Sequence, residues 1–256
     1  MLKNGTFTEG WMDMLPAGNL INQQPNGWIL RWIEPGNSLF GAGDKAAGVP
    51  ECVHKLAGQL PANEQLGAKD ALILAGDTTY KIFHAGSPFG TELKQVVTGL
   101  KPGSKATLEV PVLAVLYDET DPFGAESGVW VNGEGQWVNS SEMGNRKWHR
   151  HKLTFTVPDN GTAIIEIRVK SKWPRKKDFF IDGITLDAES DLAAEDEIPI
   201  ILPDPIVIPD EDRETTVPEQ VVSIKVPAGM KLVTAVSNEA NTVILVVPPG
   251  VSVKNG

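Results

Sequence analysis

Ile165-Glu166-Ile167-Arg168-Val169-Lys170 alternates apolar and charged side chains without a break. A period of two marks a strand with one face buried and the other in water. Working outward from it, the same character recurs. Strand-like runs are Trp28–Ile33, Ala71–Leu74, Tyr80–His84, Leu93–Val97, Ala106–Tyr117, Trp148–Val157, Ala163–Lys170 and Phe179–Leu186. Pro35-Gly36, Pro102-Gly103, Asn132-Gly133 and Asp159-Asn160-Gly161 mark turns between them. No segment holds a long helical period, and there is no internal repeat. Many short strands between regular turns predict an all-β fold, a β-sandwich whose Greek-key closure protects the sheet edges.

The last third of the chain differs. Ile198-Pro199-Ile200-Ile201-Leu202-Pro203-Asp204-Pro205-Ile206-Val207-Ile208-Pro209 carries four prolines, which forbid a helix and a central strand. Residues 188–217 therefore read as an acidic, proline-rich extended arm. Its aliphatic residues suit either a tether or a segment packed on a partner chain. Three strand-like runs follow, Val221–Val226, Lys231–Val236 and Thr242–Val247, separated by turn-like residues. The predicted organisation is a β-domain over 1–187, the arm over 188–217 and a small three-stranded β element over 218–256. That element is marginal alone and is expected to pack on something else.

The 256 residues carry 33 acidic and 23 basic groups, a net charge of −10. The charge is unevenly placed. Residues 145–177 hold 10 basic groups against 2 acidic ones, and residues 187–219 hold 12 acidic groups against Arg213 alone. Without the acidic arm the rest of the chain is close to neutral. The single cysteine, Cys52, excludes an internal disulfide framework and a cysteine-rich zinc site. No run of about 18 apolar residues is present, so no membrane helix is expected. The N-terminus shows no secretion signal.

Three motifs combine into a family resemblance. Asn4-Gly5-Thr6-Phe7-Thr8-Glu9-Gly10-Trp11 resembles the "NGdFE-G-W" opening of galactose-binding-like jelly-roll domains. Leu93-Lys94-Gln95-Val96-Val97-Thr98-Gly99-Leu100-Lys101-Pro102-Gly103 resembles their "Q-V-x-G-L-K-P-G" strand and turn. Trp148 through Val157-Pro158, then Phe179-Phe180-Ile181-Asp182-Gly183-Ile184-Thr185-Leu186, resembles their closing strands. Residues 3–187 are thus similar to carbohydrate-binding modules of families 4, 9, 16 and 22, in order and in spacing. The resemblance implies a jelly roll, Gln95 facing a sugar-binding sheet, and a structural calcium near the N-terminus. The calcium ligands it points to are Glu9 and Asp182. The pattern departs from the family at Thr6, Thr8 and Gly183, where acidic residues are usual. Period two places Asp182 on the face of Phe180, Ile184 and Leu186, so the carboxylate needs either a cation or backbone amides.

Seven tryptophans against two tyrosines is a biased aromatic set. Sugar rings offer C–H faces to aromatic planes, with polar groups beside them for the hydroxyls. Trp28 and Trp32 share a face of one strand and suit either a sugar platform or the core. Trp130 and Trp137 flank a glycine-rich turn and are expected to be exposed. Trp11 and Trp148 are expected in the core. The basic stretch would form an anion stripe if its strands paired, with Arg150 and Lys152 on one and Arg168, Lys170 and Lys172 on the other. A solvated outer face, or a dock for the acidic arm, is the plainer reading, and no nucleic-acid motif accompanies it. His149 and His151 are two apart and could share a metal, but no further ligand is near. Cys52-Val53-His54 sets a thiol near a base, but strand alternation and the lack of an oxyanion motif argue against a nucleophile. Neither a nucleophile elbow, a phosphate loop nor a zincin motif occurs.

The expected function is non-catalytic carbohydrate binding by tryptophan stacking, with an extracellular or virion-associated location. The alternative is a structural assembly protein, a virion decoration or surface component whose C-terminal arm contacts other subunits.

Overall fold

The computed structural model describes residues 1–15, 19–33 and 48–190, together with the backbone of Lys231–Val236 and Thr242–Val247. The turn at Pro35-Gly36, the arm beyond Ser190 and the run Val221–Val226 lie outside the described residues. The chain separates into two compact units, Met1–Asp191 and Leu192–Gly256.

The first unit is a two-sheet sandwich. Its strands are β1 (Trp11–Asp13), β2 (Gln23–Pro25), β3 (Ile29–Trp32), β4 (Glu51–Leu56), β5 (Thr78–His84), β6 (Phe89–Val97) and β7 (Lys105–Val115). After them come β8 (Ala125–Val131), β9 (Glu134–Asn139), a one-turn helix α1 (Ser140–Met143), β10 (Trp148–Thr156), β11 (Ala163–Ser171), β12 (Lys177–Ile181) and β13 (Thr185–Asp187). One sheet has the order β10-β7-β12-β5-β4, with β13 also pairing β7; the other has the order β3-β6-β11-β8-β9. All pairs are antiparallel. From β5 onward the chain changes sheet at nearly every connection, which makes the jelly roll that the family resemblance implied. In the second unit, β14 (Lys231–Val236) pairs antiparallel with β15 (Thr242–Val247).

Alternation decides what lies between the sheets. On β11 Ala163, Ile165, Ile167 and Val169 enter the core, and on β7 Ala106, Leu108, Val110, Val112 and Ala114 meet them. Each large side chain buried this way stabilises the fold by roughly 1.5–3 kcal/mol. A second, smaller cluster of Leu72, Leu113, Val115 and Phe180 sits on the outer face of the six-stranded sheet, with Leu60 and Trp148 packed on it.

Several expectations change here. Ala71–Leu74 is not a strand. It belongs to the connection that places Leu72 in the outer cluster. The run Phe179–Leu186 is two strands, because Gly183 adopts φ +69° and breaks the period. Phe180 therefore joins the outer cluster while Ile184 enters the core. The Trp130–Trp137 segment is a strand hairpin, with the turn at Asn132-Gly133, both at positive φ. Trp11 is 37% exposed and stacks on His54 with ring centroids 4.3 Å apart, and Trp148 is half-buried rather than central.

Candidate functional site

The opening segment is a built loop. Asn4 Nδ2 donates to the carbonyls of Gly10 and Asn26 at 3.2 and 3.0 Å, and Asn4 Oδ1 accepts from Glu9 N at 3.0 Å. Glu9 Oε1 returns the favour, accepting from Asn4 N at 2.9 Å. This reciprocal pair lets Phe7 plug the core, stacked on Tyr80 with centroids 5.2 Å apart. Trp28 sits beside it, fully inside, its Nε1 donating to the Asn4 carbonyl at 3.3 Å. Trp32 is half-buried, on the Leu30 side of β3 that faces the core, and its Nε1 has no hydrogen-bond partner among the described residues. Trp28 and Trp32 thus share a face, and it is the inner one.

Gln95 also turns inward. It lies across from Ile165, a core residue, and its amide clasps the backbone of Lys3: Oε1 accepts from Lys3 N at 2.8 Å and Nε2 donates to Lys3 O at 3.0 Å. Its role here is to tether the N-terminal segment to β6.

Asp182 is fully buried among backbone donors. Its Oδ2 accepts from Leu74 N at 2.6 Å and Ala75 N at 3.1 Å, and its Oδ1 accepts from Gly183 N at 2.7 Å. Burial raises its pKa to about 6, against the lowering effect of those three amides. Amides already aim their positive ends at both oxygens, and Glu9 is committed to the Asn4 backbone. Calcium needs six to eight converging oxygens. Glu9 and Asp182 as placed do not present them, and the described residues hold no cluster of three or more His, Cys, Asp or Glu.

The remaining candidates meet on the outer face of the five-stranded sheet, where register sets them in rows across the strands. One row runs Gly135, Trp130, Glu166, Lys94 and Ile29, from β9 to β3. The next runs Trp137, Gly128, Arg168, Glu92 and Arg31. Four inter-strand steps of ~4.8 Å make each row about 19 Å long. The glycines leave room for an indole laid flat. A Cβ at Gly128 would sit 2.5 Å from Trp130 Cη2, and one at Gly135 would sit 2.6 Å from Trp130 Cγ. Trp130 and Trp137 meet edge to face with centroids 5.0 Å apart. Arg168 Cζ lies 4.3 Å from the Trp130 ring centre and Lys170 Nζ 4.6 Å from that of Trp137.

These cations are also ion-paired. Arg168 Nε contacts Glu92 Oε2 at 2.8 Å and its Nη2 contacts Glu166 Oε2 at 3.0 Å. Lys94 reaches Glu166 Oε1 at 3.2 Å and Lys170 reaches Glu126 Oε2 at 2.9 Å. Trp130 is only 9% exposed, because its ring lies between the glycines and Arg168. Trp137 is half-buried and keeps surface to offer a ligand. The earlier expectation of exposure for both rings therefore holds in part for Trp137 and not for Trp130.

The anion stripe is corrected. β10 and β11 belong to different sheets, so Arg150 and Lys152 do not neighbour Arg168 and Lys170. Acids from elsewhere in the chain balance the basic stretch: Glu64 pairs Arg146, Glu109 pairs Arg150, Asp118 pairs Arg175 and Glu119 pairs Lys177. Sequence reasoning missed Glu92 and Glu126 as partners. Their one signal was an acid at an outward position on a strand, which becomes readable only once the neighbouring strand is known.

The other pairs are structural. His151 Nε2 lies 2.7 Å from the buried Ser127 hydroxyl, with the His149 ring 4.6 Å from its own. Cys52 and His54, two apart, share the inner face, as a period of two requires, so the separation expected from the sequence does not occur. Burial removes the thiol from chemistry by pushing its pKa up to about 12.

No known protein family and no curated protein matches this chain. Solved structures do resemble it. A family 61 carbohydrate-binding module, solved with β-1,4-galactotriose, is 15% identical with TM-score 0.46, over 73% of this chain and 97% of that one. A xylan-binding family 22 domain from Paenibacillus barcinonensis is 13% identical with TM-score 0.34, over 73% and 92%. The enzymatically active domain of tailspike protein 4 from bacteriophage CBA120 is 12% identical with TM-score 0.43, over 73% of this chain and 21% of that one. These are likenesses of fold.

Proposed function

We propose that the outer face of the five-stranded sheet binds carbohydrate, without covalent chemistry, with Trp137 as the stacking ring. The observation that carries this is the row geometry. A half-buried indole, held edge-on by a second one, stands in line with paired charges along about 19 Å of sheet. Trp130 supports Trp137 rather than stacking on a sugar itself. Glu166 and Lys94, the less buried members of the charge network, offer an acceptor and a donor to hydroxyls beside the ring. The face is close to electrically neutral, which suits a neutral glycan and not a polyanion.

Isothermal titration of the full chain against a panel of neutral oligosaccharides tests this. Binding to at least one, abolished in Trp137→Ala with an unchanged melting temperature, is expected. Binding to none, or binding that survives Trp137→Ala, refutes it.

The C-terminal hairpin supports a second reading. A two-stranded hairpin is marginal in water, and β14 and β15 are the strands described there, which supports contact with another subunit of an assembly. A strictly monomeric mass in solution at high concentration refutes that reading.

A further inference from the structure

The six-stranded sheet carries a separate feature. Between β4 and β5 the chain folds back over its outer face, where Leu60 and Leu72 pack with Val115 and Phe180. Side chains on β10 and its approach clasp this flap, in addition to Asp182 at its end. Trp148 Nε1 donates to the Ala71 carbonyl at 2.8 Å, and Arg146 pairs with Glu64 at 2.6 Å. At its edge is a half-enclosed cavity of about 230 Å³. Its lining mixes apolar Leu60, Pro61, Leu72, Val115 and Phe180 with polar Lys55, Gln59, Lys81, Tyr117 and Asp178.

The charges in this cavity form two ion pairs and a remainder. Lys81 Nζ lies 3.0 Å from Asp178 Oδ2, and the Tyr117 hydroxyl donates to the same oxygen at 2.9 Å. Asp178 is only 4% exposed, and its other oxygen, Oδ1, is buried with no hydrogen-bond partner among the described residues. Arg146 and Glu64 form the second pair. The Lys55 ammonium has no ion pair or hydrogen bond among the described residues, although it lines the same space.

We propose that this cavity is a second binding site, for a single anionic sugar residue such as a hexuronate. The lining carries three cations, Lys55, Lys81 and Arg146, against two carboxylates, Glu64 and Asp178, and that excess of one positive charge favours a ligand with one negative charge. The apolar lining residues receive the C–H face of a ring, and Gln59 offers its amide to hydroxyls. The volume lies below the ~300–1,000 Å³ of clefts that hold drug-sized ligands, so it takes one ring and not a chain. The site is on the sheet opposite the tryptophan pair and goes beyond the reading above.

The test is amide chemical-shift titration of the full ¹⁵N-labelled chain with glucuronate and galacturonate, glucose as neutral control and acetate as anion control. At least one uronate is expected to saturate shifts at Leu60, Leu72, Val115 and Phe180, with Kd on the order of a millimolar. Glucose and acetate should bind at least about tenfold more weakly, and Lys55→Gln should weaken the uronate by about tenfold. Trp137→Ala should leave the uronate titration intact, so this site and the tryptophan face fail separately. Unsaturable shifts with both uronates, equal binding of glucose or acetate, an unaltered Lys55→Gln, or loss in Trp137→Ala would each overturn the proposal.

Discussion

Lys177 is the cation whose removal tests the electrostatic architecture most directly. It points from the inner face of β12 into the interior, wholly buried, and its Nζ lies 2.9 Å from Glu119 Oε2, itself 2% exposed. The other oxygen, Glu119 Oε1, accepts from Asp121 N at 2.9 Å. Lys177→Met leaves a carboxylate stranded in the interior, and Glu119→Gln leaves an ammonium there. Breaking one side of a buried pair costs about 3–5 kcal/mol. Exposed pairs are worth at most about 1 kcal/mol, so the magnitude separates the two cases. The double variant Lys177→Met/Glu119→Gln strands no charge, and its glutamine still accepts from Asp121. Its stability should lie within about 1 kcal/mol of the parent. Urea unfolding followed by tryptophan fluorescence measures this. With a slope of about 2 kcal/mol/M, each single variant should lower the midpoint by roughly 1.5–2.5 M, and the double variant should recover most of it. A single-variant loss below about 1 kcal/mol, or a double variant as unstable as the sum of the singles, would refute the sealed pair.

Asp182 and the two buried histidines act oppositely on acid stability. Burial raises the Asp182 pKa from 3.8 to about 6, so the folded state holds its proton more tightly than the unfolded chain. Its contribution therefore falls by about 3 kcal/mol as pH rises from 4 to 6. Asp182→Asn should flatten that slope in a plot of melting temperature against pH, and an unchanged slope refutes it. Burial lowers His54 and His151 from 6.5 to about 4, so each favours the fold above pH 6.5. That stability is lost as pH falls through 4, by roughly 3 kcal/mol per group. His151→Gln should shift the acid limb of unfolding to lower pH, measured by circular dichroism; a limb that stays in place counts against it. Gly135→Ala drives a methyl into Trp130 and the Val129 carbonyl. It should destabilise by about 1–3 kcal/mol and shift tryptophan emission, whereas Gly67→Ala, which meets no neighbour but has φ +78°, should alter stability without moving the spectrum.

The alternation in Ile165–Lys170 carried the fold because it needs no partner to be read. Inner and outer faces follow from backbone geometry alone. The strands β6, β7, β10 and β11 were legible for that reason. The strands Glu51–Leu56, Ala125–Val131 and Glu134–Asn139 were not. Glycines at 124, 128, 133 and 135 suggest a loop, although at 128 and 135 they make room for an indole. The candidate site was half legible. Trp137 stands where an exposed ring was expected, but Trp28 fills the core and Gln95 ties down the N-terminus. A tryptophan reads alike in both settings, since it is large, flat and apolar wherever it lies.

By itself the sequence determined the class of structure, which residues of an unbroken strand share a face, and the division of charge along the chain. Those properties are local: they depend on period, turn chemistry and count. Only the tertiary structure decided which strands stand side by side. Pairing β11 with β6 and β8 sets Arg168 against Glu92 and Trp130, and Lys170 against Glu126 and Trp137. Placing β10 in the other sheet dissolves the basic stripe. A side chain's charge is written in the sequence, but its effect depends on neighbours from strands tens of residues away, which only the folded sheet brings within about 4 Å.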